Sequence, residues 1–281
     1  MDPRLTLEKR IEAELKSYDG MMCIYADDFH GNVISMGADE KVETASTIKT
    51  YILACLFEEA EKGRADLDGL LTYREEHFVD GSGVMQALEP GAVMRVKDLA
   101  ALMIIVSDNV ATNILIDYLG IERINRCIER LGCKDTALHN SLHFDRYRQL
   151  GTTTARDYGS VFVRLARGEL ISERADRGMV EIFKKQQYNS MITRDFPPVY
   201  MDSDNTDDIL IRVASKSGSM DACRNDGGIV YTPYGPYVLV MLNKGFGDAM
   251  YYPGHPATVF GGRVSRMVLD QVLALEGRFV L

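Results

Sequence analysis

A serine and a lysine three residues apart form the first chemically suggestive pair in the chain. They stand in Ser46-Thr47-Ile48-Lys49, where a β-hairpin is expected to give way to a helix. Residues i and i+3 share a helix face, so the Ser46 hydroxyl and the Lys49 amine can meet. A desolvated lysine loses proton affinity and can activate a serine, whose N–H at a helix start can form half of an oxyanion hole. The alternative is a helix N-cap followed by a solvated lysine.

A second polar string, Ser107-Asp108-Asn109, follows the apolar run Leu99–Val106, inside a segment whose periodicity predicts a helix over Val96–Tyr118. A polar triplet in such a helix must face polar partners. Ser107 can relay a proton to a leaving group, and the Asn109 amide can hold a substrate carbonyl. The alternative is a junction between helices that is capped by the serine and the aspartate.

A third string, Lys216-Ser217-Gly218-Ser219, stands at the end of a strand predicted over Ile209–Ser215. A glycine there lets a ligand approach the strand edge. The Ser219 N–H can complete the oxyanion hole, and Lys216 and Ser217 can bind a substrate carboxylate. The alternative is a strand end that turns into a loop.

Hydrophobic periodicity and glycine breaks predict the elements that must position these strings. Helices are expected over Leu5–Leu15, Tyr51–Lys62, Val96–Tyr118, Ile121–Leu131, Thr154–Arg167 and Gly262–Leu275, and strands over Met21–Asp27, Asn32–Met36, Ile209–Ser215, Gly228–Thr232 and Tyr237–Leu242.

The order of these elements predicts an α+β fold. The two ends of the chain can bury their apolar faces only against each other, so we expect one antiparallel sheet of about five strands, flanked by the N- and C-terminal helices. An all-α lobe is inserted into it. The predicted boundaries give residues 1–45 with 200–281 to the sheet lobe and 46–199 to the helical lobe, with the active site in the crevice between them.

Composition excludes several functional classes. The chain has 281 residues, 46% hydrophobic and 26% charged, and a net charge of −9, which opposes general binding to nucleic acid. No apolar run is long enough to span a membrane, and the charged N-terminal segment lacks a signal-peptide core, so a cytoplasmic location is expected unless a leader has been removed.

Five widely spaced cysteines argue against a disulfide framework or a zinc site. No metal or cofactor is expected, and the oligomeric state is left open.

The three strings in this order resemble the class A β-lactamase family, within the penicilloyl-serine transferases. The resemblance covers nearly the whole chain. Four further stretches support it: Gly81–Val84, Leu88–Gly91, Val96–Gly120 and Thr152–Asp157.

The resemblance implies a role for each residue of the catalytic group. Ser46 looks like the acylated nucleophile and Lys49 like its activating base. Ser107 looks like a proton shuttle that works with Lys216.

It also implies a set of substrate contacts. Asn109 looks like the anchor of the substrate amide, and Ser217 like a contact of the substrate carboxylate, with Gly218 beside it. The N–H groups of Ser219 and of the nucleophile look like the oxyanion hole.

Arg224 resembles an arginine that binds the substrate carboxylate in this family. The alternative is that Asp221 and Asp226 simply neutralise its charge.

The sequence departs from the family at the loop that carries a water-positioning glutamate. The corresponding loop, residues 136–151, contains no glutamate and is a few residues shorter than the loop expected in the family. Aligning the start of the loop with the family pattern puts Leu142 near the glutamate's place. Asp145, His139 and His143 are candidate substitutes, histidine having the most suitable unperturbed pKa. The alternative is that the aspartate pairs with an arginine of the same loop while the histidines pack or face solvent.

The resemblance therefore implies a serine hydrolase that forms an acyl-serine with a small-molecule or peptide lactam, amide or ester. We expect it to acylate readily but to hydrolyse penicillins slowly or not at all. Two alternatives remain: a non-catalytic penicillin-binding sensor, and a cytoplasmic amidase, peptidase or esterase of the same fold.

Overall fold

The computed structural model describes residues 6–146, 149–188, 190–201 and 210–273. Its helices are α1 Leu7–Leu15, α2 Ile48–Glu61, α3 Val96–Ile105, α4 Asn109–Leu119, α5 Ile121–Arg130, α6 Ala155–Arg167, α7 Glu173–Phe183 and α8 Pro256–Val272. Its strands are β1 Met21–Asp27, β2 Val33–Met36, β3 Val42–Glu43, β4 Leu70–Thr72, β5 Val93–Arg95, β6 Ala137–Leu138, β7 Gly151–Thr153, β8 Arg212–Ser215, β9 Gly218–Met220, β10 Cys223–Thr232 and β11 Gly235–Lys244. Among the described helices, none combines the length and the hydropathy needed to cross a bilayer.

The main sheet has the strand order β2-β1-β11-β10-β8, with β9 paired to β10, and all its pairs are antiparallel. This confirms the α+β expectation. Within this sheet, the strand that the sequence did not predict is β9, which is too short to show an alternating pattern and which carries Ser219.

Side chains of the sheet alternate between two apolar cores, as the pleat of a strand requires. On β11 the alternation is complete. Three residues face the helices of the chain's middle segment, Val238, Val240 and Leu242. Three others face α1 and α8, Tyr237, Leu239 and Met241. The sheet is therefore buried on both faces, which fixes its register.

The prediction of a single helix over Val96–Tyr118 is wrong. The segment forms two helices, α3 and α4, which are separated by residues 106–108. Ser107 has φ +52°, a left-handed conformation that ends α3. The Asp108 side chain then caps α4 by accepting from Ala111 N at 2.9 Å. The polar string is thus a junction between helices, and it turns its polar groups towards α2.

Other boundaries shift by a few residues. Strand β10 begins at Cys223 rather than Gly228, and α8 begins at Pro256 rather than Gly262. Three predicted ends, at residues 5, 209 and 275, lie outside the described residues.

The segment after α7 packs on the outer face of the sheet. Met191, Ile192 and Phe196 belong to the same core as α1 and α8, although the predicted boundary gives them to the helical lobe. The division into lobes at residues 45 and 200 stays a prediction.

Candidate active site

Ser46 lies in a short 3-10 turn, Ala45–Thr47, that leads into α2. Ala45 adopts φ +45°, which is unfavourable for a residue with a side chain and typical of functional sites. Ser46 is partly exposed, while its neighbours on either side are buried. It lines a cavity of about 1040 Å³ between the sheet and the helices. A reagent that enters this cavity therefore reaches the serine.

Lys49 is fully buried one helical turn later. Its Nζ lies 2.7 Å from the Ser107 carbonyl, 3.0 Å from Ser107 Oγ and 2.7 Å from Asn109 Oδ1. Burial, and next the nearby Lys216, lower the pKa of Lys49 well below its usual range. A neutral amine can donate its two hydrogens to the Ser107 carbonyl and Asn109 Oδ1, which leaves its lone pair to accept a proton from a hydroxyl. Lys49 is thus equipped to act as a base.

Lys216 reaches the same hydroxyl from the sheet side. Its Nζ lies 3.2 Å from Ser107 Oγ and donates to the Ser217 carbonyl at 2.6 Å. Burial lowers the pKa of Lys216 to about 7, and Asp226 opposes that shift. The structure therefore places Ser107 Oγ between two buried amines.

Asp108 holds the loop at 81–85 against this cluster. Its Oδ2 accepts from Val84 N at 2.7 Å and from Met85 N at 2.8 Å. A Cβ at Gly83 would lie 2.4 Å from Asp108 atoms, so only glycine allows this approach. The Asp108 carboxylate is occupied by backbone N–H groups and serves to position the loop.

The same loop orients Asn109. Its N–H donates to the Ser82 carbonyl at 3.0 Å, and its Nδ2 donates to the Asp80 carbonyl at 3.1 Å. Because Oδ1 accepts from Lys49, the second Nδ2 hydrogen is left for a ligand carbonyl in the cavity that Asn109 lines.

Strand β9 lies directly against the turn that carries Ser46. A Cβ on Gly218 would lie 2.7 Å from Ser46 N and 2.8 Å from Thr47 N, so a larger residue would push the strand away. Ser219 follows it and lines the same cavity as Ser46. Ser217 is buried between Lys216 and Gly218. The structure brings Ser219 to the same cavity as Ser46, and the oxyanion hole stays a prediction.

Arg224 is buried beneath the rim of the cavity. Its guanidinium lies 4.2 Å from the centre of the Tyr251 ring, and Tyr251 lines the cavity. The guanidinium donates to the carbonyls of four residues: Met220, Cys223, Ala249 and Met250. These contacts let Arg224 position the tyrosine. A direct contact with a substrate carboxylate stays a prediction.

Leu142 occupies a wall of the cavity, fully buried. In the described part of the chain, the three candidate substitutes for the family's glutamate are not among the residues that line this cavity, and their role stays a prediction. Asp145 is exposed, 3.9 Å from Arg146. His139 Nε2 lies 2.8 Å from Thr152 Oγ1. His143 lines a separate cavity of about 640 Å³.

Two residues of the site were not identified from the sequence. Asn113 binds the backbone of Leu142, and its signal is the i+4 spacing that puts it on the face of α4 that carries Asn109. Glu43 lines the cavity three residues before Ser46. No local pattern marks Glu43, because two of its backbone partners, Leu150 and Gly151, are distant in sequence.

Comparison with known proteins finds relatives that match most of the chain. A curated beta-lactamase 1 of Streptomyces cacaoi is 27% identical over 264 residues, which are 85% of this chain and 76% of that protein. The crystal structure of a beta-lactamase from Sphaerobacter thermophilus has a TM-score of 0.84 at 25% identity and covers 96% of this chain and 98% of its own. PBP-A, in a mutant described as an acyl-enzyme complex with penicillin G, has a TM-score of 0.82 at 25% identity, with 95% and 96% covered.

A family model described as the beta-lactamase enzyme family matches residues 6–272. The chain is therefore a serine hydrolase, and it belongs to the beta-lactamase enzyme family.

Proposed function

We propose that a β-lactam, or a related amide or ester, acylates Ser46, and that the acyl group is then released slowly. The observation that carries the proposal is the position of Ser107 Oγ, 3.0 Å from Lys49 Nζ and 3.2 Å from Lys216 Nζ. A hydroxyl between two buried amines can pass protons in either direction, which acyl transfer requires at both the attacking oxygen and the leaving nitrogen.

In the proposed acylation step, Lys49 and Ser107 carry the protons. Neutral Lys49 takes the Ser46 proton as Oγ forms a bond to the substrate carbonyl carbon, and the charge on the carbonyl oxygen is met by backbone N–H groups. Ser107 gives its proton to the leaving nitrogen as the C–N bond breaks, and it regains a proton from Lys49. Lys216 holds the Ser107 hydroxyl in line throughout.

Slow release follows from the wall that faces the acyl group. Hydrolysis of an acyl-serine needs a base that activates water. Leu142, which the resemblance puts near the place of the family's glutamate, lines the cavity with an alkyl side chain. The solved neighbour PBP-A supports acylation by a β-lactam, since it is described as an acyl-enzyme complex with penicillin G in a leucine-to-glutamate mutant.

The experiment is intact-mass spectrometry during incubation with benzylpenicillin, with Ser46→Ala as the control. We expect an adduct with the mass of the whole lactam, which is absent from the control and decays over time. No adduct with penicillins or with a fluorophosphonate would overturn the proposal. An adduct that never decays would instead support the sensor alternative. An adduct with fluorophosphonate alone would favour an amidase, peptidase or esterase.

A further inference from the structure

Resting on the acylation of Ser46 proposed above, we propose that the Glu43 carboxylate takes the proton from the water that hydrolyses the acyl-enzyme. Glu43 ends strand β3, directly before the turn that carries the nucleophile. It lines the same cavity as Ser46. Hydrolysis then has a base, although not at the position that Leu142 occupies.

One oxygen of Glu43 is held rigidly. Its Oε1 accepts from three backbone N–H groups, those of Ala45, Leu150 and Gly151, each at 3.1 Å. The bond to Ala45 N places the carboxylate one residue from the nucleophile. The bonds to Leu150 and Gly151 join it to the end of the loop that carries Leu142. This oxygen cannot move without disturbing the turn at Ser46.

The other oxygen, Oε2, is buried and has no hydrogen-bond partner within the described part of the chain. Buried carboxylate oxygens are ordinarily hydrogen-bonded, because leaving one unpaired costs about 1–3 kcal/mol or more. Glu43 as a residue is only partly buried, and it lines a cavity of about 1040 Å³ that has room for water and substrate together. An oriented carboxylate with one oxygen anchored and one unpaired has the arrangement that a water-activating base requires.

The surroundings favour a base at this position. Burial raises the pKa of Glu43 above its usual value, towards the working pH, although the N–H bonds oppose the shift. The Cys223 thiol faces it from β10, and burial, followed by the charge of Glu43, raises the pKa of that thiol to about 12, so it stays protonated. The other carboxylate that lines the cavity, Asp221, is exposed and accepts from the Tyr251 hydroxyl at 3.3 Å.

The step balances without a further reactant. The water oxygen bonds to the ester carbonyl carbon as its proton passes to Glu43 Oε2, and the negative charge moves to the former carbonyl oxygen. When this intermediate collapses, the bond from carbon to Ser46 Oγ breaks and the proton returns from Glu43 to Oγ. The products are the free carboxylic acid and the regenerated serine.

The test uses Glu43→Gln, because glutamine keeps an acceptor for the three N–H groups but cannot take a proton. Acylation and deacylation by benzylpenicillin are followed separately by rapid-quench mass spectrometry on the full chain. We expect the acylation rate to stay within a few-fold of the parent and deacylation to slow by roughly 10²-fold. Hydroxylamine, a strong nucleophile that needs little base assistance, should release the accumulated acyl group. The control is Glu40→Gln, an exposed glutamate that pairs with Lys244 and should change neither rate.

Several results would overturn the role of Glu43. The first is that Glu43→Gln deacylates at the parent rate. The second is that Glu43→Gln and Glu43→Asp both fail to be acylated. The third is that the adduct of the parent chain never decays. Failure of the parent chain to form any adduct would instead overturn the proposed function, so the two failures are distinguishable.

Discussion

The side-chain amide of Asn113 is hydrogen-bonded to both backbone groups of Leu142. Its Oδ1 accepts from Leu142 N at 2.8 Å, and its Nδ2 donates to the Leu142 carbonyl at 2.9 Å. Nδ2 also lies 3.2 Å from the His77 carbonyl. Since α4 carries both Asn113 and Asn109, one rigid helix sets the position of the loop and the position of a partner of Lys49.

A second asparagine repeats this arrangement at the other end of the loop. Asn125 Oδ1 accepts from Leu138 N at 2.8 Å, and its Nδ2 donates to the Leu138 carbonyl at 2.9 Å. The loop that forms one wall of the cavity is therefore attached to α4 and to α5 by equivalent contacts. This pair supplies a matched test of what the loop does.

We predict that Asn113→Ala changes acyl-enzyme kinetics and Asn125→Ala does not. Both variants should lose about 1–3 kcal/mol of unfolding free energy, because each strands buried backbone groups. Only Asn113→Ala frees Leu142, which lines the cavity of Ser46, so only it should alter the deacylation rate. Urea unfolding and rapid-quench mass spectrometry measure the two effects. Equal changes in deacylation for both variants would contradict a local role for Asn113.

We predict that Leu142→Glu accelerates release of the acyl group by roughly 10²-fold. The new carboxylate would enter the cavity wall while Asn113 still holds the backbone there. Leu142→Gln is the control, since it has nearly the same shape but cannot take a proton. Both variants should be less stable than the parent, because each places a polar group at a buried apolar position. A glutamine variant as fast as the glutamate variant would show that shape, and not a base, limits release.

Much of the architecture was predictable because it is encoded locally. Strand β1 matches its predicted bounds, Met21–Asp27, and the two glycine-flanked ends of α5 lie within a residue of their expected places. These elements have strong apolar periodicity and clear breaks. The three strings were recognisable for the same reason, as each is contiguous in sequence.

The rest depends on contacts between distant residues. The break at Ser107 is hidden because apolar residues continue on both sides of it, and the conformation follows from contacts with Lys49 and the loop at 81–85. Glu43 is unremarkable in sequence, and its anchoring groups lie more than 100 residues away at Leu150 and Gly151. A single sequence does not show which backbone N–H groups such a side chain will meet.

We predict that Lys216→Met moves the acidic limb of the acylation pH profile to higher pH. Burial lowers the pKa of Lys49, and so does the positive charge of Lys216, which is present mainly below pH about 7. Removing that charge raises the pKa of Lys49, so more of the base is protonated at any given pH in this range. The second-order acylation rate constant, measured from pH 5 to 9, reports the shift, with the exposed-surface variant Lys97→Met as the control. A limb that stays in place or moves to lower pH would contradict the coupling of the two amines.

We predict that Ser107→Ala and Ser107→Gly both reduce acylation but differ in stability. Each removes the hydroxyl that both amines contact, so acylation should fall by roughly 10²-fold in both. Ser107 has φ +52°, a conformation that costs an alanine about 1–2 kcal/mol and a glycine nearly nothing. Glycine should therefore be the more stable variant in thermal unfolding, apart from a small entropic loss. If glycine restored acylation, the backbone turn and not the hydroxyl would be the functional feature at this position.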